Sequence, residues 1–499
     1  MASLWLTVPR RLSSGVILQG SKVDDNKSSP SLLSFWPSPH GAVSVNELNH
    51  HLKLRHIDMR QANSHDVVAQ YKASRLGRFY INYFKKYPFV RELVNWLWRN
   101  AYPVYVNNIA ARFGRRNILR WRRLIKLSEY IETRGTTVIQ LARAALIKTP
   151  VPKVFPVCDQ GYLVSPHDHY TSPHIYVATI GDGMIYGGTN LVLTKEAVIC
   201  HDLYDFERDY TSEELNGRTL IDPVKGQIRW LLHDDAPEYL PAAAAFVDAC
   251  AHNYAHWLTE VLPRIAVFCA DEHFKKVPIV VNDGLHENIM ESLLLIVGPE
   301  REVVTLPIGR ALKTDALYLT SAAGYVPFGQ RDKKLCNHSH GVFNPYALDL
   351  IRAQVASYVV ERSQQSWPEK LCLRRNSNVR KITNWNEIEE DLIAAGYAVI
   401  EPENLSFLEQ VVLFMNAKYI VSATGAALAN SIFCSPGAHI GILMAKHESM
   451  IYRYWPNMLA TFQLKVACVL GNINKNNHFG IHGDYFVDRD CVTRLLKSW

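Results

Sequence analysis

The sequence predicts an α/β protein: two facing Rossmann-like blocks with a cleft between them, behind a helical, basic N-terminal extension. Three observations lead there. From about residue 240, short β-branched runs alternate with apolar-periodic helical segments, and the alternation restarts after residues 325–345. Such alternation implies parallel strands with helices on both faces of the sheet. Within the second block, the stretch from Tyr419 to Gly437 reads as strand, small-residue turn, short helix and stop. Finally, residues 72–134 hold fifteen Lys and Arg against three acids, Glu92, Glu129 and Glu132, interleaved with aromatic rings.

Taken in order, residues 20–46 are rich in Ser, Pro, Asp and Asn, and 1–46 is expected to be a poorly ordered leader. Residues 47–148 read as helices broken at Pro88, Pro103 and Gly114. A strand-rich stretch follows to about 235, with runs at 174–179 and 198–200 separated by glycine turns at Gly181, Gly183, Gly187 and Gly188. The first α/β block has expected strands at 243–247, 277–281 and 312–320, with helices at 253–267 and 287–297. The second has strands at 370–373, 398–401, 419–421 and 439–443, with helices at 386–395, 407–416 and 427–433. The expected division is a leader (1–46), a basic helical region (47–148), a first α/β domain (149–340), a second (341–470) and a tail (471–499).

Composition narrows the class. A chain of 499 residues, 48% apolar and 20% charged, is that of a soluble globular protein with core enough for several domains. Nine scattered cysteines include no C-x-x-C pair, which points to a reducing compartment. The apolar patch before Pro9 is too short for a signal peptide, and no window approaches the roughly 18 apolar residues of a membrane span. A cytoplasmic protein is expected, with peripheral attachment to the inner face of a membrane left open. The basic-aromatic stretch 72–134 suits an anionic membrane surface or a lipid-linked polyanion. It equally suits a solvated helical face. No nucleic-acid-reading motif accompanies it, so no nucleic acid is expected as a partner.

Three constellations could carry chemistry. His252, His256, Glu260 and Arg264 are spaced by four, which on a helix forms one polar stripe, with Pro263 bending it. A His beside a Glu can work as a general base; it can also be an internally paired helix surface. As a metal site the stripe is incomplete on one helix, and no metal is expected. Second, Arg375, Arg380 and Lys381 lie in a polar loop after a strand and could converge on a pyrophosphate, whose oxygens suit guanidinium forks. Third, the turn of Ala423, Thr424, Gly425 and Ala426 opens a helix whose first N–H groups favour a phosphate. The run His167, Asp168, His169, Tyr170 and His174 reads as turn chemistry. No Gly-x-Gly-x-x-Gly follows a strand, which disfavours an NAD-type enzyme.

Four motifs occur in one order: Asn253-Tyr-x-His-Trp-Leu-x-Glu-x-Leu-Pro-Arg264; Arg375 with Arg380, Ile382 and Asn384; Leu405 to Val411; and Ala417 to Gly437 with Gly425, Ala426, Leu428, Asn430 and Phe433. In this the chain resembles family 61 glycosyltransferases, the group that includes capsular-polysaccharide proteins, over roughly residues 150–470. The resemblance implies a GT-B fold and an inverting, metal-independent transfer of a hexosyl or pentosyl unit. The donor is a nucleotide sugar, expected to be UDP-linked, and the acceptor a glycan or lipid-linked molecule in polysaccharide or glycoconjugate biosynthesis. It places His256 and Glu260 at acceptor binding or base work. Arg375, Arg380, Thr424, Gly425, Ala426 and Asn430 fall on the donor. Two positions depart from the family pattern: Thr424 stands where a histidine precedes Gly-Ala, and Ile442 where a glutamate ends the next strand, with Glu448 nearby. These departures raise the alternative of a non-catalytic binding or scaffold protein with a degenerate donor site.

Overall fold

The computed structural model of the chain describes residues 53–57, scattered positions between 75 and 97, and 120–499 except 165–166, 328, 332–340, 360–365, 378–379, 448–449, 451 and 474–482. The expected leader and most of the basic region lie outside these residues. The described positions between 75 and 97 are mostly helical, and Phe79, Tyr83 and Phe89 are exposed there.

The protein is a mixed α/β structure with two large sheets. In the first, of thirteen strands, the parallel center comprises Glu238–Ala245 (β1), Ile279–Asn282 (β2), Val303–Leu306 (β3) and Ala311–Thr320 (β4), in the order β3-β2-β1-β4. Leu54–His56 adds a parallel strand beside β3. The second sheet has seven strands. Lys370–Leu373 (β5), Ala398–Ile400 (β6), Tyr419–Ala423 (β7), His439–Lys446 (β8) and Lys465–Ile473 (β9) run parallel in the order β6-β5-β7-β8-β9. Their runs are buried almost throughout, as parallel strands covered on both faces must be.

Three expectations need correction. Trp121–Lys126 and Val138–Ala142, expected to be helical, are strands of the first sheet. Leu124 and Ile125 are adjacent and both buried, yet they enter different core clusters. Successive side chains can serve opposite faces only in a strand. Lys153–Phe155, expected in the first block, pairs with β9 in the second sheet. Residues 471–499, expected as a tail, supply the edge strand Tyr485–Phe486 and the helix Arg489–Lys497, whose Leu495 is fully buried.

The halves meet through helix ends. Ser406 and Glu409 form a capping box at the start of the helix Phe407–Asn416. The buried Glu291 carboxylate of the helix Glu287–Val297 accepts the Phe407 N–H at 2.7 Å, so one half caps a helix of the other. Asn288 Nδ2 donates to the Leu405 carbonyl at 2.9 Å across the same seam. One apolar cluster runs through both halves, from Phe246 and Trp257 to Phe414 and Val469.

Candidate functional site

The motif helix begins where Asn253 caps it, accepting the Ala255 N–H at 3.0 Å. His252 therefore precedes the helix, in an exposed turn, and is not part of the expected stripe. Past Tyr254–His256 the chain makes a π-helical turn, Trp257–Val261, before resuming as Leu262–Ala270. Pro263 has no N–H to give the Thr259 carbonyl, so the ladder must adjust just before it. That carbonyl turns toward Gly324, where a Cβ would sit 2.5 Å from it. The Glu260 carbonyl instead takes the Arg264 Nε–H at 3.0 Å.

On this turn His256 Nδ1 hydrogen-bonds the Glu260 carboxylate. The pair lines a narrow polar cavity with Asn190, Tyr204, Asp248 and Tyr325. Asp248 lies three residues past the end of β1, and Asn282 at the end of β2 holds it there, accepting its N–H at 2.8 Å and donating to its carbonyl at 3.0 Å. The strand carboxyl ends thus present a carboxylate to the cavity, where α/β sheets commonly bind ligands. Asn190 Nδ2 donates to Asp248 at 3.0 Å, and the buried Arg264 guanidinium lies 3.4 Å from it.

Charges in this cavity reinforce one another. Burial pulls the His256 imidazole down, but Glu260 and then Asp248 outweigh it, and its pKa lies above the ordinary value. Burial lifts Glu260 above the ordinary carboxyl value although His256 opposes this. The fully buried Glu213, accepting from Thr189 Oγ1 at 3.1 Å, is pushed up to about 7 by burial and then by Asp248. With Nδ1 held by Glu260, the neutral ring presents Nε2 as its basic nitrogen.

The second cluster begins at the end of β5, where adjacent arginines diverge. Arg374 is neutralised by Glu389 (Nε to Oε2, 2.8 Å) and Glu401 (3.0 Å). Arg375 turns to the other side, where its Nη1 donates to the Thr424 carbonyl at 2.5 Å and its Nη2 to Ser377 at 3.4 Å. Arg380 has a left-handed backbone (φ 56°), and its buried Nε has no hydrogen-bond partner among the described residues. Burial lowers the pKa of both groups, and Arg375 adds to the effect on Arg380, which falls to about 10. Two guanidiniums thus share one desolvated place, with no carboxylate bonded to either among the described residues.

Gly425 lies against Arg375: a Cβ there would be 3.6 Å from Arg375 Cδ. Gly425, Ala426 and Ala427 are the partly exposed part of the turn after β7. The helix that follows, Ala426–Phe433, is 3₁₀ where a helix of unspecified type was expected, with Leu428 N–H donating to the Gly425 carbonyl at 3.1 Å. Thr424 is buried; its Oγ1 accepts the Trp455 indole N–H at 3.0 Å. Asn430 is fully buried, accepting from Tyr254 O–H at 2.7 Å and donating to Gln410 at 2.6 Å. Its amide joins the two halves and does not face the turn's open side. Ile442 is buried inside β8, and Glu448 lies outside the described residues.

Each half thus carries one cluster. The His256 cavity is walled by residues of the first half, whereas Arg375 lies against the Gly425 turn of the second, with Arg380 in its field. Tyr254–Asn430 crosses the seam, and Thr259 Oγ1 lies 3.4 Å from Tyr454 Oη, next to Trp455. Sequence reasoning missed Asp248, Glu213, Tyr254 and Trp455. Only Asp248 carried a local signal, an acid directly after a β run.

No curated protein matches the chain. A family model described as Glycosyltransferase 61 matches residues 254–441, a span holding His256, Glu260, both arginines and the Gly425 turn. Over that segment the chain is similar to glycosyltransferase family 61.

Proposed function

We propose that the protein is an inverting glycosyltransferase on a GT-B-like frame, taking its sugar from a UDP-linked donor without a divalent ion. The acceptor is a hydroxyl of a glycan or lipid-linked molecule. One observation carries the reading: Arg375 and Arg380 share one half-buried place, Arg375 against the Gly425 turn, with no carboxylate bonded to either among the described residues. Unneutralised guanidiniums in low dielectric call for a polyanion, and a diphosphate supplies two charges and several acceptor oxygens.

In the reaction, His256 Nε2 takes the proton of the acceptor hydroxyl. The oxygen attacks the anomeric carbon from the face opposite the diphosphate. The bond between that carbon and the phosphate oxygen breaks, and its electron pair leaves with the diphosphate. Arg375, Arg380 and the first N–H groups of the turn stabilise that growing charge. Glu260 holds the imidazolium that forms, and Asp248 adds to its field. Thr424 supplies no charge in this scheme; it positions the turn through Trp455. The basic-aromatic stretch 72–134 is assigned to an anionic membrane surface, near a lipid-linked acceptor. Among the described residues no helix is long and apolar enough to cross a membrane.

The test is release of nucleotide diphosphate from a panel of nucleotide sugars, with and without EDTA. Release from a UDP-sugar that EDTA leaves unchanged is expected. No release from any donor, with no nucleotide bound, rejects the reading.

A further inference from the structure

The second sheet has a cavity at the end opposite the Gly425 turn. Its volume is about 520 Å³, in the range of small-ligand sites. Three of its lining residues, Lys153, His439 and Lys465, are the first residues of parallel strands. Gly425 lies two residues past the end of β7, which runs parallel to them. At ~3.3 Å per residue, the sheet keeps the two places roughly 15 Å or more apart.

One wall is aromatic and fixed. The Trp499 ring rests on the bare backbone of Gly441, where a Cβ would come within 3.1 Å of it. It also stacks with Tyr419, centroids 5.6 Å apart at 30°, and lies 5.5 Å from the His439 ring. The rim is cationic. Lys153 and Lys465 are exposed, no Asp or Glu side chain lines the cavity, and neither lysine has a carboxylate partner among the described residues. Lys465 Nζ lies 3.4 Å from His439 Nε2. Burial, then Lys465 and Lys153, lower the His439 pKa, so its ring stays neutral at pH 7.

We propose that this cavity binds an acidic sugar unit, with Trp499 against the pyranose face and Lys153 and Lys465 on its carboxylate. An aromatic face covers the C–H side of a pyranose, and two ammoniums with no carboxylate partner among the described residues select an anion. The saccharide half of the assignment rests on the glycosyltransferase reading; the place and the sign of charge do not. The site lies away from the transfer chemistry, so it grips a glycan at a unit remote from the one being extended.

The experiment is calorimetric titration of the full chain at low salt with tetragalacturonate, maltotetraose, inorganic phosphate and phosphatidylglycerol vesicles, with UDP titrated alongside. Tetragalacturonate is expected to bind more tightly than maltotetraose. The double substitution Lys153→Ala/Lys465→Ala should weaken it about five-fold or more, and Trp499→Ala should also weaken it, while UDP affinity stays the same. Both lysines are exposed, so the double variant should keep the wild-type melting temperature. Equal affinity for maltotetraose, or no effect of the double substitution, overturns the proposal. Binding of phosphate or vesicles in place of tetragalacturonate overturns the saccharide assignment. Intact UDP binding without tetragalacturonate binding rejects this site alone, whereas absent UDP binding bears on the donor site.

Discussion

At the scale of the residue, the account rests on how neighbouring charges are treated differently. Arg374 meets two carboxylates, whereas Arg375, one position on, meets a carbonyl, a hydroxyl and the field of Arg380. Just past the end of β5 the two side chains turn to opposite sides, which makes one structural and leaves the other for an anion. His256 and Glu260 yield a prediction with a definite sign. Glu260 and Asp248 raise the imidazole pKa against burial, so the unprotonated base appears only as pH rises through that raised value. Glu260→Gln removes the largest opposing influence and leaves burial, so the acidic, rising limb of kcat should move to lower pH while the plateau of kcat falls. An unmoved limb would separate Glu260 from the base. His256→Ala should lower kcat by about 10²–10⁴-fold with UDP affinity unchanged, as loss of a general base does. Equal losses in binding and turnover would make His256 a donor contact.

Among elements, the π turn Trp257–Val261 positions the base, and its environment explains a glycine. Gly324→Ala would drive a methyl into the Thr259 backbone carbonyl at 2.5 Å. Overpacking of this kind costs about 1–3 kcal/mol, so the melting temperature should fall and turnover with it. A variant as stable and active as wild type would show that the turn has slack. Tyr254→Phe tests the tie between halves: it removes the 2.7 Å bond to Asn430 and leaves a buried acceptor unsatisfied. A loss of about 1–3 kcal/mol is expected in denaturant unfolding. The 3₁₀ helix Ala426–Phe433 takes part in this tie, so its Asn430 serves the frame while Gly425 and Ala426 face outward.

Over the whole molecule, legibility followed the range of the interactions. The second block was readable almost strand by strand, because Ser406 and Glu409, the β-branched run before Thr424 and the Ser435-Pro436-Gly437 stop are local signals. Trp121–Lys126 was not: half its residues are basic, and its partners begin about 70 and 100 residues later. Lys153–Phe155 joins β9 across more than 300 residues, a pairing that three residues cannot announce. The site divided in the same way. The His256–Glu260 contact followed from helical spacing, whereas the partners of Asn430, Tyr254 and Gln410, came from elsewhere in the fold. Both clusters lie within the matched span 254–441, while Asp248 and Glu213 precede it.

The central claim is that Arg375 and Arg380 hold the donor's diphosphate, and calorimetry with UDP tests it most directly. Wild-type protein should bind UDP without added metal, and Arg375→Ala and Arg380→Ala should each weaken binding by about ten-fold or more, as charge-assisted hydrogen bonds worth ~1.5–3 kcal/mol require. Unchanged UDP affinity in both variants would contradict it.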